Sequence, residues 1–177
     1  MTKNEAGVIV KMICAIYPNE YAKLTPEAMA MVVDMWAATC EAYTGEQMSA
    51  ALQQYMARDL TGYGPKPGQL IQYIVAPLDE HDLNESEAWN LVARAVSNGI
   101  YGAVEEFNRL PPLVQRAIGS SYIIHEMAQR EVTSVDESNF KRTYRTLLER
   151  ERTKRRLPPS TRRLLEGGDE PEALPVK

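Results

Sequence analysis

Lys141, Arg142, Arg145, Arg150, Arg152, Lys154, Arg155 and Arg156 fall within one 16-residue stretch, with Arg162 and Arg163 close behind. Side chains of this type at this density have three uses. They can contact the phosphates of DNA or RNA, whose binding is driven by release of counterions. They can dock on an acidic partner protein. They can also pair with acidic groups of their own chain and leave only a solvated helix face. Sequence alone keeps all three open. Aromatic residues are sparse among these cations, so stacking on a single strand has little support.

Other candidates for chemistry are weaker. Gly62-Tyr63-Gly64-Pro65-Lys66-Pro67-Gly68 has the flavour of a phosphate loop. Its spacing is wrong, no Ser or Thr follows the lysine, and prolines stand where backbone donors are needed. There is no dinucleotide fingerprint. The two histidines, His81 and His125, are 44 positions apart and are not clustered with other ligands as a metal site requires. Cys14 and Cys40 lie on apolar stripes without a histidine nearby, and read as reduced, buried, small hydrophobes. Glu105-Glu106 reads as a solvated face. No catalytic, cofactor-binding or metal-binding set is expected. A second surface for partners is the pair of loops carrying Tyr17, Asn19 and Tyr63, although tyrosines there also serve to cover the ends of a small bundle.

The elements that must carry these residues are helical. Thr2 and Glu5 form a capping box ahead of an apolar stripe at Val8, Ile9, Met12, Ile13 and Ile16, and Pro18 ends that helix. Thr25-Pro26-Glu27 opens a second helix with Val33 and Trp36 on its apolar face. Thr44 and Gln47 open a third. Leu60 to Pro67 is a loop, and a short helix runs on through Leu70, Ile71 and Ile74. Asn84 and Glu87 cap the next helix, on which Trp89, Val92 and Val96 recur. Asn98-Gly99, Pro111-Pro112 and Gly119 divide the next stretch into short helices. A last long helix is expected from about Ser138 to Arg156, ended by Pro158-Pro159. No strand alternation competes. The expected fold is all-α, with a helical module over 1–76, an acidic linker over 77–83, a second helical module over 84–166, and a disordered tail over 167–177.

The chain has 177 residues and a net charge of −4. That charge is unevenly spread: −2 over 1–76, −7 over 77–139, +7 over 140–166 and −2 over 167–177. Two cysteines are too few for a disulfide scaffold. No signal peptide and no membrane span is evident, so a cytoplasmic protein is expected.

Met1-Thr2-Lys3-Asn4-Glu5, the helix ending in Ile16-Tyr17-Pro18-Asn19, Leu24-Thr25-Pro26-Glu27, Val33-Asp34-Met35-Trp36 and the Pro65 to Ile74 segment together resemble the phage replicative helicase loader and inhibitor family. The resemblance covers about residues 1–76. It implies a small all-α N-terminal domain with Trp36 in its core. It implies a partner, a hexameric replicative helicase, whose ATPase is restrained and which is placed on DNA with the help of an origin-bound initiator. It also implies an adaptor without its own ATPase or cofactor. In that family the C-terminal part carries the helicase contact and is poorly ordered alone. Residues 84–156 depart from this pattern, because their caps and apolar stripes look foldable.

Overall fold

The computed structural model describes residues 1–166, and the expected disorder of 167–177 lies outside them. Among the described residues every regular element is a helix. They are α1 (Lys3–Ile16), α2 (Pro26–Thr39), α3 (Gly45–Arg58), α4 (Pro67–Glu80), α5 (Glu85–Ser97), α6 (Gly99–Arg109), α7 (Pro112–Ile118), α8 (Ser121–Ala128), α9 (Ser134–Arg156) and α10 (Pro159–Glu166). No helix of the described residues is long and apolar enough to cross a membrane. The described residues divide into two compact units, one formed by 1–80 with 154–166, the other by His81–Thr153.

In the first unit the caps read from sequence are present. Thr2 N–H donates to Glu5 Oε2 at 2.7 Å while Glu5 N–H donates to Thr2 Oγ1 at 3.3 Å. Glu5 does more than cap its own helix: its other oxygen accepts from Gly45 N–H at 3.2 Å, tying the start of α3 to the start of α1. Hydrogen bonds from three donors hold its carboxyl below the usual carboxylate range, Thr2 contributing most. α1 packs on α2 and α3, and α3 on α4. Their apolar stripes close a core around Ile9, Ile13, Trp36, Cys40, Met48, Leu52, Leu70 and Ile71. Trp36 is 3% exposed, as the resemblance implies. Burying each of the larger side chains contributes about 1.5–3 kcal/mol.

α4 does not stop near Ile74. Residues 77–80, expected to belong to a linker, form its last turn despite Pro77. A proline inside a helix removes one backbone donor and crowds the preceding turn. Here the turn is held from outside, since Asp79 accepts from Arg155 Nη1 at 2.7 Å and from Arg156 Nη2 at 2.8 Å. α10 was not evident from the sequence. Pro159 stands at its start, where a missing N–H costs nothing. Glu41 accepts from Ser160 N–H and so satisfies one of its first donors.

The second unit is built around α5, which touches α6, α7 and α8, while α6 lies along α8. Asn84 and Glu87 exchange the expected capping bonds at 2.8 and 2.9 Å. Trp89, Val92, Val114, Ile124, Phe140 and Tyr144 are in its core, with the Trp89 and Phe140 ring centroids 5.6 Å apart. α9 begins at Ser134, four residues before the expected start, because Thr133 and Asp136 make a capping exchange with a shorter acid. Thr133 N–H donates to Asp136 Oδ2 at 2.8 Å and Asp136 N–H donates to Thr133 Oγ1 at 3.4 Å. Gly99 lets α6 approach α8: a Cβ there would stand 2.9 Å from Ile124 Cγ2 and 3.1 Å from Ile124 O.

Candidate functional site

α9 has a core-facing stripe, Phe140, Tyr144 and Leu148, and its cations occupy the remaining faces. Most of those cations meet a carboxylate of the same unit. In the second unit Arg145 donates two hydrogen bonds to Glu85, at 2.6 and 2.7 Å. That fork holds the Glu85 carboxyl below its usual range and raises the guanidinium further. Lys141 Nζ is 2.6 Å from Glu137 Oε1 and 3.2 Å from Ser86 Oγ. Arg152 Nε donates to Asp82 Oδ2 at 3.0 Å. Arg142 donates only to Asn139 Oδ1, at 3.1 Å, and Arg150 is exposed without an ion pair among the described residues. In the first unit Arg155 and Arg156 share Asp79, and Lys154 is exposed. Two of the acids responsible, Asp79 and Asp82, are among those whose sequence clustering suggested a linker, while Glu85 stands in the first turn of α5.

The tyrosine loops are arranged differently. Tyr17, expected at a loop surface, is 9% exposed and packs edge-on against Tyr55, with ring centroids 6.3 Å apart. Burial raises its hydroxyl above the usual tyrosine range. Asn19 is exposed, and it lines a cavity of about 390 Å³ with Tyr17 and Tyr63. Tyr63 is 72% exposed. It stands on a turn fixed by Asp59, whose carboxylate accepts from Thr61 N–H at 2.9 Å, Thr61 Oγ1 at 2.6 Å and Gly62 N–H at 3.1 Å. These bonds hold Asp59 below the usual carboxylate range, the Thr61 hydroxyl contributing most. Gly62 takes a positive φ of 74°, which a side chain would resist. Tyr55 Oη donates to Tyr63 O at 2.9 Å.

On the other side of Tyr63 lies a groove of about 750 Å³ between the end of α3 and the start of α4, lined by Tyr55, Arg58, Tyr63, Lys66, Gln69 and Tyr73 among others. None of Tyr55, Arg58 and Tyr73 was singled out by sequence as a candidate for a site, the two tyrosines fitting the stripes of the third and fourth helices. The one local signal was the spacing of Tyr55 and Arg58, three positions apart on a helix. Lys66, the lysine of the phosphate-loop-like segment, pairs with the Glu20 carboxylate of its own chain. Its backbone N–H donates to Gln69 Oε1 at 2.8 Å.

His81 is exposed. His125 Nδ1 lies 3.2 Å from Gly99 O and its Nε2 lies 2.7 Å from Gln129 Nε2, so the ring bridges α8 to the start of α6. Cys40 is fully buried, and burial pushes its thiol up to about 11. Among the described residues no group of three or more His, Cys, Asp or Glu is placed to hold a metal ion.

Residues 1–71 match the family model of the N-terminal domain of the phage helicase loader/inhibitor gp39P. The resemblance read from the N-terminal motifs is therefore borne out for this segment, which makes up most of the α1–α4 bundle. No curated protein and no solved structure matches the chain.

Proposed function

We propose that the chain is a non-enzymatic phage DNA-replication adaptor that binds a hexameric replicative helicase and either loads or restrains it, with an origin-bound initiator as a further partner. The observation that carries this reading is the match of residues 1–71 to the gp39P N-terminal domain. The side chains give it secondary support. The lysine of the glycine-rich loop is committed to Glu20, so that loop has no free cation for a nucleotide phosphate. Cys40 is shielded from solvent, and burial pushes its thiol up to about 11, away from a nucleophilic thiolate.

Direct nucleic-acid binding through α9 has fewer cations to stand on. Arg145, Arg152, Arg155 and Arg156 each meet a carboxylate, which favours a packing role for that face of the helix. The test is copurification of the full chain with the replicative helicase of its phage or host, together with a helicase ATPase assay. A defined complex and a changed ATPase rate are expected. No complex and an unchanged rate would remove this reading.

A further inference from the structure

The groove between α3 and α4 has a chemistry that the helicase reading does not use. Its three tyrosines offer ring faces and hydroxyls, and Tyr63 stands largely in solvent. Its carboxylates are already satisfied: Asp59 by Thr61 and Gly62, Glu20 by Lys66. Arg58 is different. Its guanidinium lies 5.4 Å from the centre of the Tyr73 ring and has no ion pair among the described residues.

One uncommitted cation is too few for a nucleic-acid strand, which brings a phosphate with every nucleotide. An extended peptide in the polyproline conformation fits better. Its carbonyls are free of internal hydrogen bonds, and its prolyl rings lie well against aromatic faces. The Tyr55 hydroxyl is already given to Tyr63 O, while those of Tyr63 and Tyr73 are donors for such carbonyls. So is the Gln69 amide nitrogen, whose partner oxygen is occupied by Lys66 N–H. The lone guanidinium selects a segment that carries a carboxylate.

We propose that this groove binds an extended, proline-containing acidic segment of a partner protein, with prolyl rings against Tyr55, Tyr63 and Tyr73 and a carboxylate against Arg58. The proposal goes beyond the helicase reading and does not depend on it. The experiment is an NMR titration of the full isotope-labelled chain with the peptide acetyl-Pro-Pro-Glu-Pro-Pro-amide, up to about 1 mM. Amide shifts confined to residues 55–73 are expected. The same peptide with Gln for Glu should bind about threefold more weakly, the worth of a partly exposed ion pair. Arg58→Ala should bring the Glu peptide down to the affinity of the Gln peptide and leave the Gln peptide unchanged. Tyr63→Ala should abolish the shifts of both.

Absence of shifts, shifts elsewhere, or equal binding of the two peptides would overturn the proposal. So would preferential capture of an oligothymidine of about 15 nucleotides at the same residues, which would assign the groove to a nucleic acid. Groove shifts on replacing Pro171 and Pro175 by Ala, with no peptide added, would assign it to the chain's own C-terminal segment and equally overturn the partner reading.

Discussion

Replacing Asp79, Asp82 and Glu85 with their amides tests whether the basic face of α9 is neutralised by its own chain. Asp79 serves Arg155 and Arg156, Asp82 serves Arg152, and Glu85 serves Arg145, so the triple change D79N/D82N/E85Q removes a carboxylate partner from four guanidinium groups. Amides keep the shape and some of the hydrogen bonds, so the helix keeps its place while the charge balance moves. If all four groups then reach phosphates, the log–log slope of DNA affinity against salt steepens by about 3.6, from about 0.9 per phosphate. Between ~50 and ~200 mM salt that slope is about a hundredfold loss of affinity. The assay is fluorescence anisotropy with a labelled duplex at several salt concentrations, with circular dichroism to confirm that both proteins are folded. The parent chain should bind weakly with a shallow slope, and the triple variant should bind tighter at low salt with a steep one. A folded variant that binds no better than the parent would refute the masking. A parent that already binds with a slope near about −4 would refute it from the other side.

Gly99→Ala should destabilise the second unit by about 1–2 kcal/mol, because strain from overpacking exceeds the gain in helix propensity. Gly102→Ala, whose added Cβ meets nothing within 4 Å, should be neutral or stabilising, and denaturant unfolding followed by Trp89 fluorescence in a Trp36→Phe background separates the two. Asp136 is held well below the usual carboxylate range, chiefly by Arg130 and then by Thr133. A carboxyl depressed in the folded state contributes stability above its unfolded value of ~3.9 and loses it as pH falls through the folded value. The unfolding midpoint of the parent should therefore drop between about pH 5 and pH 3 by more than that of Asp136→Asn, and parallel acid titrations of the two would show otherwise if the ion pair contributes nothing. Cys40, buried with its thiol raised to about 11, should resist alkylation at neutral pH while the partly exposed Cys14 reacts. Peptide mapping after iodoacetamide treatment decides between them, and preferential labelling of Cys40 would contradict its burial.

What the sequence made legible was local, and what it hid was long-range. A capping box is written within four residues, so Thr2 with Glu5, Thr44 with Gln47 and Asn84 with Glu87 were readable in advance, and all three exchange their bonds. The same rule missed the start of α9 only because Asp136 stands where the pattern asks for Glu or Gln. Pro77 reads locally as a stop, and the turn after it survives through Arg155 and Arg156, whose distance along the chain no window spans. The tyrosine groove was half legible for the same reason. Tyr63 announced itself in a Gly-Pro loop, but Tyr55, Arg58 and Tyr73 come together only when α3 packs against α4. The charge pattern was visible as a −7 segment ahead of a +7 segment. Whether such opposite blocks face partners or each other is decided by pairings across 60 to 77 residues, from Arg145 to Glu85 and from Arg156 to Asp79. Those pairings commit Arg145, Arg152, Arg155 and Arg156 of the sequence's most conspicuous candidate site to carboxylates of their own chain. They leave the exposed, incompletely paired chemistry at the tyrosine groove and at Arg142 and Arg150.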